Sequence, residues 1–140
     1  FVLNDIPSSK ILSRAFADKT QALIQSTGTR PMCFGMILFD NVSEPNLYYV
    51  DSSAVCLPYK GIGVGDSSNR INKFLESKGD FCNFNMKDLE ETALEAFAES
   101  IGQDYGPNDV IVGVLDKGKE MRYMETEEVD AILLRISEKN

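Results

Sequence analysis

Residues 30–76 limit the fold more than any other part of this chain. They read RPMCFGMILFDNVSEPNLYYVDSSAVCLPYKGIGVGDSSNRINKFLE. Three apolar runs are separated by polar turns, and a glycine-rich turn then leads into Phe74-Leu75-Glu76. Parallel strands need a crossover of roughly a dozen residues or more. These connections are far shorter, so the runs predict an antiparallel meander. Residues 32–40 are apolar and continuous, as in a strand buried on both faces. Residues 41–46, which hold Glu44-Pro45, are a turn. Residues 47–51 form a second strand, where Tyr48 and Tyr49 suit a pleated surface. Asp51-Ser52-Ser53 is a tight turn whose side chains can bond their own backbone. Residues 54–64 give a further strand or strand pair, with Pro58 at an edge or a bulge.

Helices flank this meander. Over residues 8–25, Ile11, Leu12, Ala15, Phe16, Ala22 and Leu23 recur at helical spacing. Ser8 or Ser9 is placed to cap the first turn, while Gly28 and Pro31 end the helix. Ser67 or Ser68 caps a second helix to about Lys78, with Ile71, Phe74 and Leu75 on one face. Residues 86–103 form a third, with Met86, Leu89, Ala93, Phe97 and Ile101 as its apolar stripe and Glu90, Glu91, Glu95 and Glu99 elsewhere. Residues 110–115 alternate as a strand, Lys117-Gly118 turns it, and residues 119–124 return. A last helix over residues 126–137 faces Val129, Ile132, Leu133 and Ile136 inward. The order predicts a layered α+β fold, and the length of 140 residues predicts one domain over 1–140.

Composition removes whole classes of function. Histidine is absent, which excludes Ser-His-Asp and Cys-His activation and histidine metal ligation within this sequence. The net charge of −8 argues against a nucleic-acid partner, because phosphate binding needs clustered Lys and Arg. Cys33, Cys56 and Cys82 are odd in number and lack a Cys-x-x-Cys spacing. They read as reduced, mostly buried thiols and not as a disulfide framework or zinc site. No apolar run approaches the ~20 residues that span a bilayer, so no membrane partner is expected. The first residue is Phe, and the chain is expected to be a fragment or a processed product.

Four features invite a chemical reading. The Gly61-to-Ser68 turn resembles a phosphate cradle before a helix, where backbone N–H groups converge on an anion. It lacks the Gly-Lys-Ser/Thr ending of a P-loop, and Asp66 would repel phosphate, so close packing and a helix start are the better account. The glutamates of 86–103 offer carboxylates for acid–base work, but a solvated helix face explains them more simply. Lys60 reads as a tunable base or as a side chain paired with a carboxylate. Cys33, in an apolar run without any histidine, reads as a small buried hydrophobe. No catalytic, cofactor-binding or metal-binding residue is therefore assigned.

The order of landmarks is similar to that of proteasome alpha-type subunits. Arg30-Pro31, Asp51-Ser52-Ser53-Ala54, Tyr59-Lys60, Gly65 and Phe74-Leu75-Glu76 fall at the family's spacing. Upstream, Ile6-Pro7, Gln21, Gln25-Ser26 and Gly28 resemble the family's second long helix and its exit, most of all in the alpha-2 type. Downstream, residues 108–114 resemble the strand after the fourth helix. Arg122-Tyr123-Met124, Glu128-Val129 and Leu133 resemble the entry to the last helix. Ser52 and Ala54 stand where the family has Pro and Gly, Met32-Cys33 replaces an aromatic-Gly pair, and Glu125-Thr126 replaces Thr-Pro.

The resemblance implies a four-layer α-β-β-α sandwich of the N-terminal-nucleophile hydrolase type, here without its N-terminal strands. It implies a non-catalytic alpha-ring subunit of the 20S proteasome, active in ring assembly, gating and regulator docking in ubiquitin-dependent degradation. Its partners would be neighbouring alpha subunits, beta-ring subunits and regulatory particles, in cytoplasm and nucleus, with no cofactor. Tyr59 and Phe74 would be core residues. The alternatives are a beta-type threonine peptidase whose nucleophile lies upstream, and an unrelated α+β binding module.

Overall fold

A computed structural model describes residues 7–101 and 105–139, except the side chain of Cys82. Ile6, and the end of the helix expected over residues 86–103, lie outside the described residues. The chain divides into two compact units, residues 1–60 and 61–140.

In the first unit, helix α1 (Ser9–Gln25) precedes strands β1 (Gly35–Asn41), β2 (Pro45–Asp51) and β3 (Cys56–Pro58). The strands form an antiparallel meander in the order β1-β2-β3, with Ile37 opposite Tyr49 and Tyr49 opposite Leu57. The predicted meander is present, but its third member is much shorter than residues 54–64. Pro58 has no N–H to donate, which suits the end of an edge strand. The Tyr59 N–H adds one more bond to the Leu47 carbonyl at 2.9 Å.

Helix α1 corrects the expected burial. Its buried residues are Ser9, Ser13, Ala17 and Thr20, whereas Ile11, Ala15, Phe16 and Ala22 are exposed and Leu12 and Leu23 half-buried. Small side chains let the helix approach the sheet, where it lies chiefly on β2 and covers the fully buried Val50. The hydroxyls of Ser13 and Thr20 can be buried because the helix satisfies them. Ser13 Oγ donates to the Lys10 carbonyl at 3.0 Å, and Thr20 Oγ1 to that of Phe16 at 2.8 Å.

The helix cap is also not where the sequence placed it. Ser8 makes no side-chain cap bond. Instead the Ser9 N–H donates to Asp40 Oδ2 of β1 at 2.6 Å. A carboxylate from a distant strand thus satisfies an orphan donor at the positive end of the helix and fixes α1 to the sheet.

The turn between β2 and β3 holds a strained residue. Ala54 has φ of 64°, a left-handed conformation that suits glycine. Asp51 supports the turn by accepting the Ser53 N–H at 2.9 Å. Replacing Ala54 with Gly relieves the Cβ conflict at the expense of a freer unfolded chain. We expect a net gain of up to about 1 kcal/mol, read as a higher urea midpoint with an unchanged slope.

The second unit contains α2 (Ser68–Lys78), a 3-10 turn (Phe81–Asn83), α3 (Met86–Ile101), a short antiparallel pair β4 (Gly113–Val114) and β5 (Arg122–Tyr123), and α4 (Thr126–Lys139). Helix α3 packs against both α2 and α4. Leu94, Val129 and Ile132 form its buried centre, with Tyr105, Val110, Val112, Met124, Leu133 and Ile136 packed around them. The inward face of α4 is as the periodicity predicted. That of α3 is not, because Leu94, Ala96, Glu91 and Thr92 are buried while Met86, Leu89 and Ala93 are exposed. A helix with neighbours on two sides buries a wider arc than one apolar stripe. Tyr105 stacks edge-on against Phe97 at 5.1 Å, and its hydroxyl donates to the Leu94 carbonyl at 2.7 Å.

Candidate assembly face

The glycine-rich turn is a packing device. The Gly63 N–H donates to Asn72 Oδ1 of α2 at 2.7 Å, so this amide is already satisfied. A Cβ on Gly63 would stand 2.5 Å from both Cβ and Cγ2 of Ile71. Gly61 is held more loosely, with Phe81 and Leu75 next to its open side. Gly65 has φ of 109°, which lets the chain turn into α2. The turn presses onto the helix it precedes, where an anion-binding loop would present its amides outward.

The glutamates are not simply a solvated face. Glu91 is only 8% exposed. Its carboxylate accepts a hydrogen bond from Lys139 of α4 and lies 3.3 Å from Arg135 Nε. Glu95 accepts a bond from Lys78 of α2 at 2.6 Å, and Lys78 also lies over the Phe74 ring at 4.9 Å. Glu90 sits 4.0 Å from Arg135. These carboxylates tie α3 to its two neighbouring helices. A signal was present in the sequence, since Arg135 and Lys139 are four residues apart on one face of α4.

This tie has a pH dependence. The hydrogen bond from Lys139 holds the Glu91 carboxyl below the ordinary value of 4.5, against some desolvation, and the charges of Lys139, Arg135 and Lys87 add to the effect. A lowered folded value means that the contribution is full above about pH 4.5 and is lost as the pH falls through that lowered value. Glu128 behaves likewise, held down first by Arg122 and then by the backbone N–H of Glu125. Acidification from neutral to about pH 3 should therefore lower the denaturation midpoint. Glu91→Gln should be less stable at neutral pH and should fall less steeply on acidification. Parallel curves for the two proteins would show that the carboxylate charge is not what ties the helices.

Lys60 is exposed at the end of the first unit. Cys33 is exposed and free, and Cys56 is half-buried and free, so the expectation of mostly buried thiols fails for Cys33. The reason is that β1 begins at Gly35, leaving Cys33 in the preceding irregular segment. Among the described residues no three His, Cys, Asp or Glu side chains gather to hold a metal. No helix among them is long and apolar enough to cross a membrane.

What the first unit does present is a broad apolar sheet face. Residues opposite each other in a ladder share a face, and every second residue continues it. Ile37, Tyr49 and Leu57 therefore line up beside Phe39, Leu47 and Tyr59, on the side opposite α1. Ile37, Phe39, Leu57 and Tyr59 are 38%, 46%, 49% and 37% exposed. Tyr49 and Tyr59 meet edge-to-face at 6.5 Å, which holds the aromatic part of the surface in one arrangement. This corrects the expectation that residues 32–40 are buried on both faces and that Tyr59 is core. Phe74, in the other unit, is likewise only half-buried. Contiguous apolar surfaces of this kind are typical of faces that pack against another surface.

Residues 3–115 match the proteasome subunit family. The chain belongs to that family. Several curated relatives are named as alpha-type subunits. Over 134 residues it is 28% identical to a protein of Schizosaccharomyces pombe named probable proteasome subunit alpha type-1, covering 93% of this chain and 55% of that protein. Over 140 residues it is 30% identical to proteasome subunit alpha type-7 of Cicer arietinum, covering 96% and 53%. The alpha type-7 subunit of Caenorhabditis elegans is 27% identical over 138 residues, covering 94% and 53%. This chain thus spans about half the length of these relatives. Membership of the family overturns the reading as an unrelated binding module, and the alpha-type names favour an alpha subunit over a beta-type peptidase. The family fold is α+β, as the sequence predicted. The likeness of residues 8–25 to the alpha-2 type rests on that helix alone, since the relatives named here are types 1 and 7.

Proposed function

We propose that this chain corresponds to the C-terminal part of a single-domain alpha-ring subunit of the 20S proteasome, and that it acts as a non-catalytic scaffold. The apolar sheet face carries the proposal. In the four-layer sandwich that we assign to the complete subunit, a second sheet covers Ile37, Phe39, Leu57 and Tyr59. Sheets packed face to face lie about 10 Å apart and bury the alternate residues of both. The relatives are nearly twice as long as the stretch they share with this chain, which leaves ample length for such a sheet.

In this reading no residue of the chain makes or breaks a bond. Subunits of like shape close a heterologous ring, in which each meets its neighbour through two different surfaces. The ring excludes folded proteins, supports a gate, and meets the beta ring on one side and regulatory particles on the other. Its setting is ubiquitin-dependent protein degradation in cytoplasm and nucleus. Catalysis belongs to the beta-type subunits, and this chain needs no cofactor, nucleic acid or membrane.

Native mass spectrometry of the complex purified through a tag on the endogenous protein tests this. The expected result is a large particle that contains alpha and beta subunits together with this chain. Recovery of the protein as a lone monomer, or with a processed threonine at its start, would overturn the scaffold reading.

A further inference from the structure

We draw no further inference here: the strongest candidate, the groove across α3 lined by Phe74 and Lys78 of α2 and by Leu133 and Ile136 of α4, has Lys78 already paired with Glu95, and nothing in the structure shows what covers it.

Discussion

Leu94→Ala should lower the stability of the second unit by about 3 kcal/mol, within a range of roughly 2–5 kcal/mol for such a truncation. Leu94 is 2% exposed and meets Val129 and Ile132 at the centre of the packing between α3 and α4. Removing its outer carbons loses their transfer energy and also leaves a cavity that the surrounding helices only partly fill. The hydrogen bond from Tyr105 goes to the Leu94 backbone, so the substitution leaves that contact in place. Urea unfolding followed by far-ultraviolet circular dichroism reads the effect as a lower midpoint. Leu89→Ala is the comparison, because Leu89 has the same chemistry on the same helix but is 39% exposed. A loss at Leu89 equal to that at Leu94 would show that the buried arc of α3 has been misplaced.

Gly63→Ala should destabilise by about 1–3 kcal/mol, the usual range for overpacking a well-filled site. The new methyl would lie 2.5 Å from Ile71 Cβ, an atom fixed to the helix backbone that no change of rotamer can move away. Relief requires the turn to lift from α2, which strains the bond from the Gly63 N–H to Asn72. Ile71→Ala should rescue the variant only in part, since it removes Cγ2 and Cδ1 and keeps Cβ. Gly106→Ala is the control, because its nearest atom is the Asp109 carboxylate at 3.5 Å. If Gly63→Ala proved as stable as Gly106→Ala, the turn would not be held by close packing on α2.

Much of this was legible beforehand. The meander followed from connection lengths too short for a crossover. Val129, Ile132, Leu133 and Ile136 marked the inner face of α4, because that helix has one main neighbour and one apolar stripe. The packing role of the glycine turn followed from Asp66 and the lack of a P-loop ending. Other features were not legible, for physical reasons that can be named. In α1 the largest apolar residues suggested the inner face, but a helix that sits close to a sheet is best served by Ser13, Ala17 and Thr20. In α3 the stripe through Leu89 and Ala93 was the longest on the helix, yet two flanking helices turned Leu94 and Glu91 inward. The Asp40 cap joins residues that lie far apart in the sequence, and no local motif announces such a bond.

By itself, the sequence determined the element types, the antiparallel order of the strands, the absence of histidine chemistry and the family. These depend on local spacing, on composition and on landmarks in a fixed order, all of which survive without coordinates. Only the tertiary structure decided which sides of α1 and α3 are buried, where the helix cap comes from, and that Glu91 ties α3 to α4. It alone showed that Ile37, Phe39, Leu57 and Tyr59 form one exposed surface. Burial is a property of neighbours brought together from distant parts of the chain, and an apolar residue reads the same in sequence whether its neighbour is this chain or another.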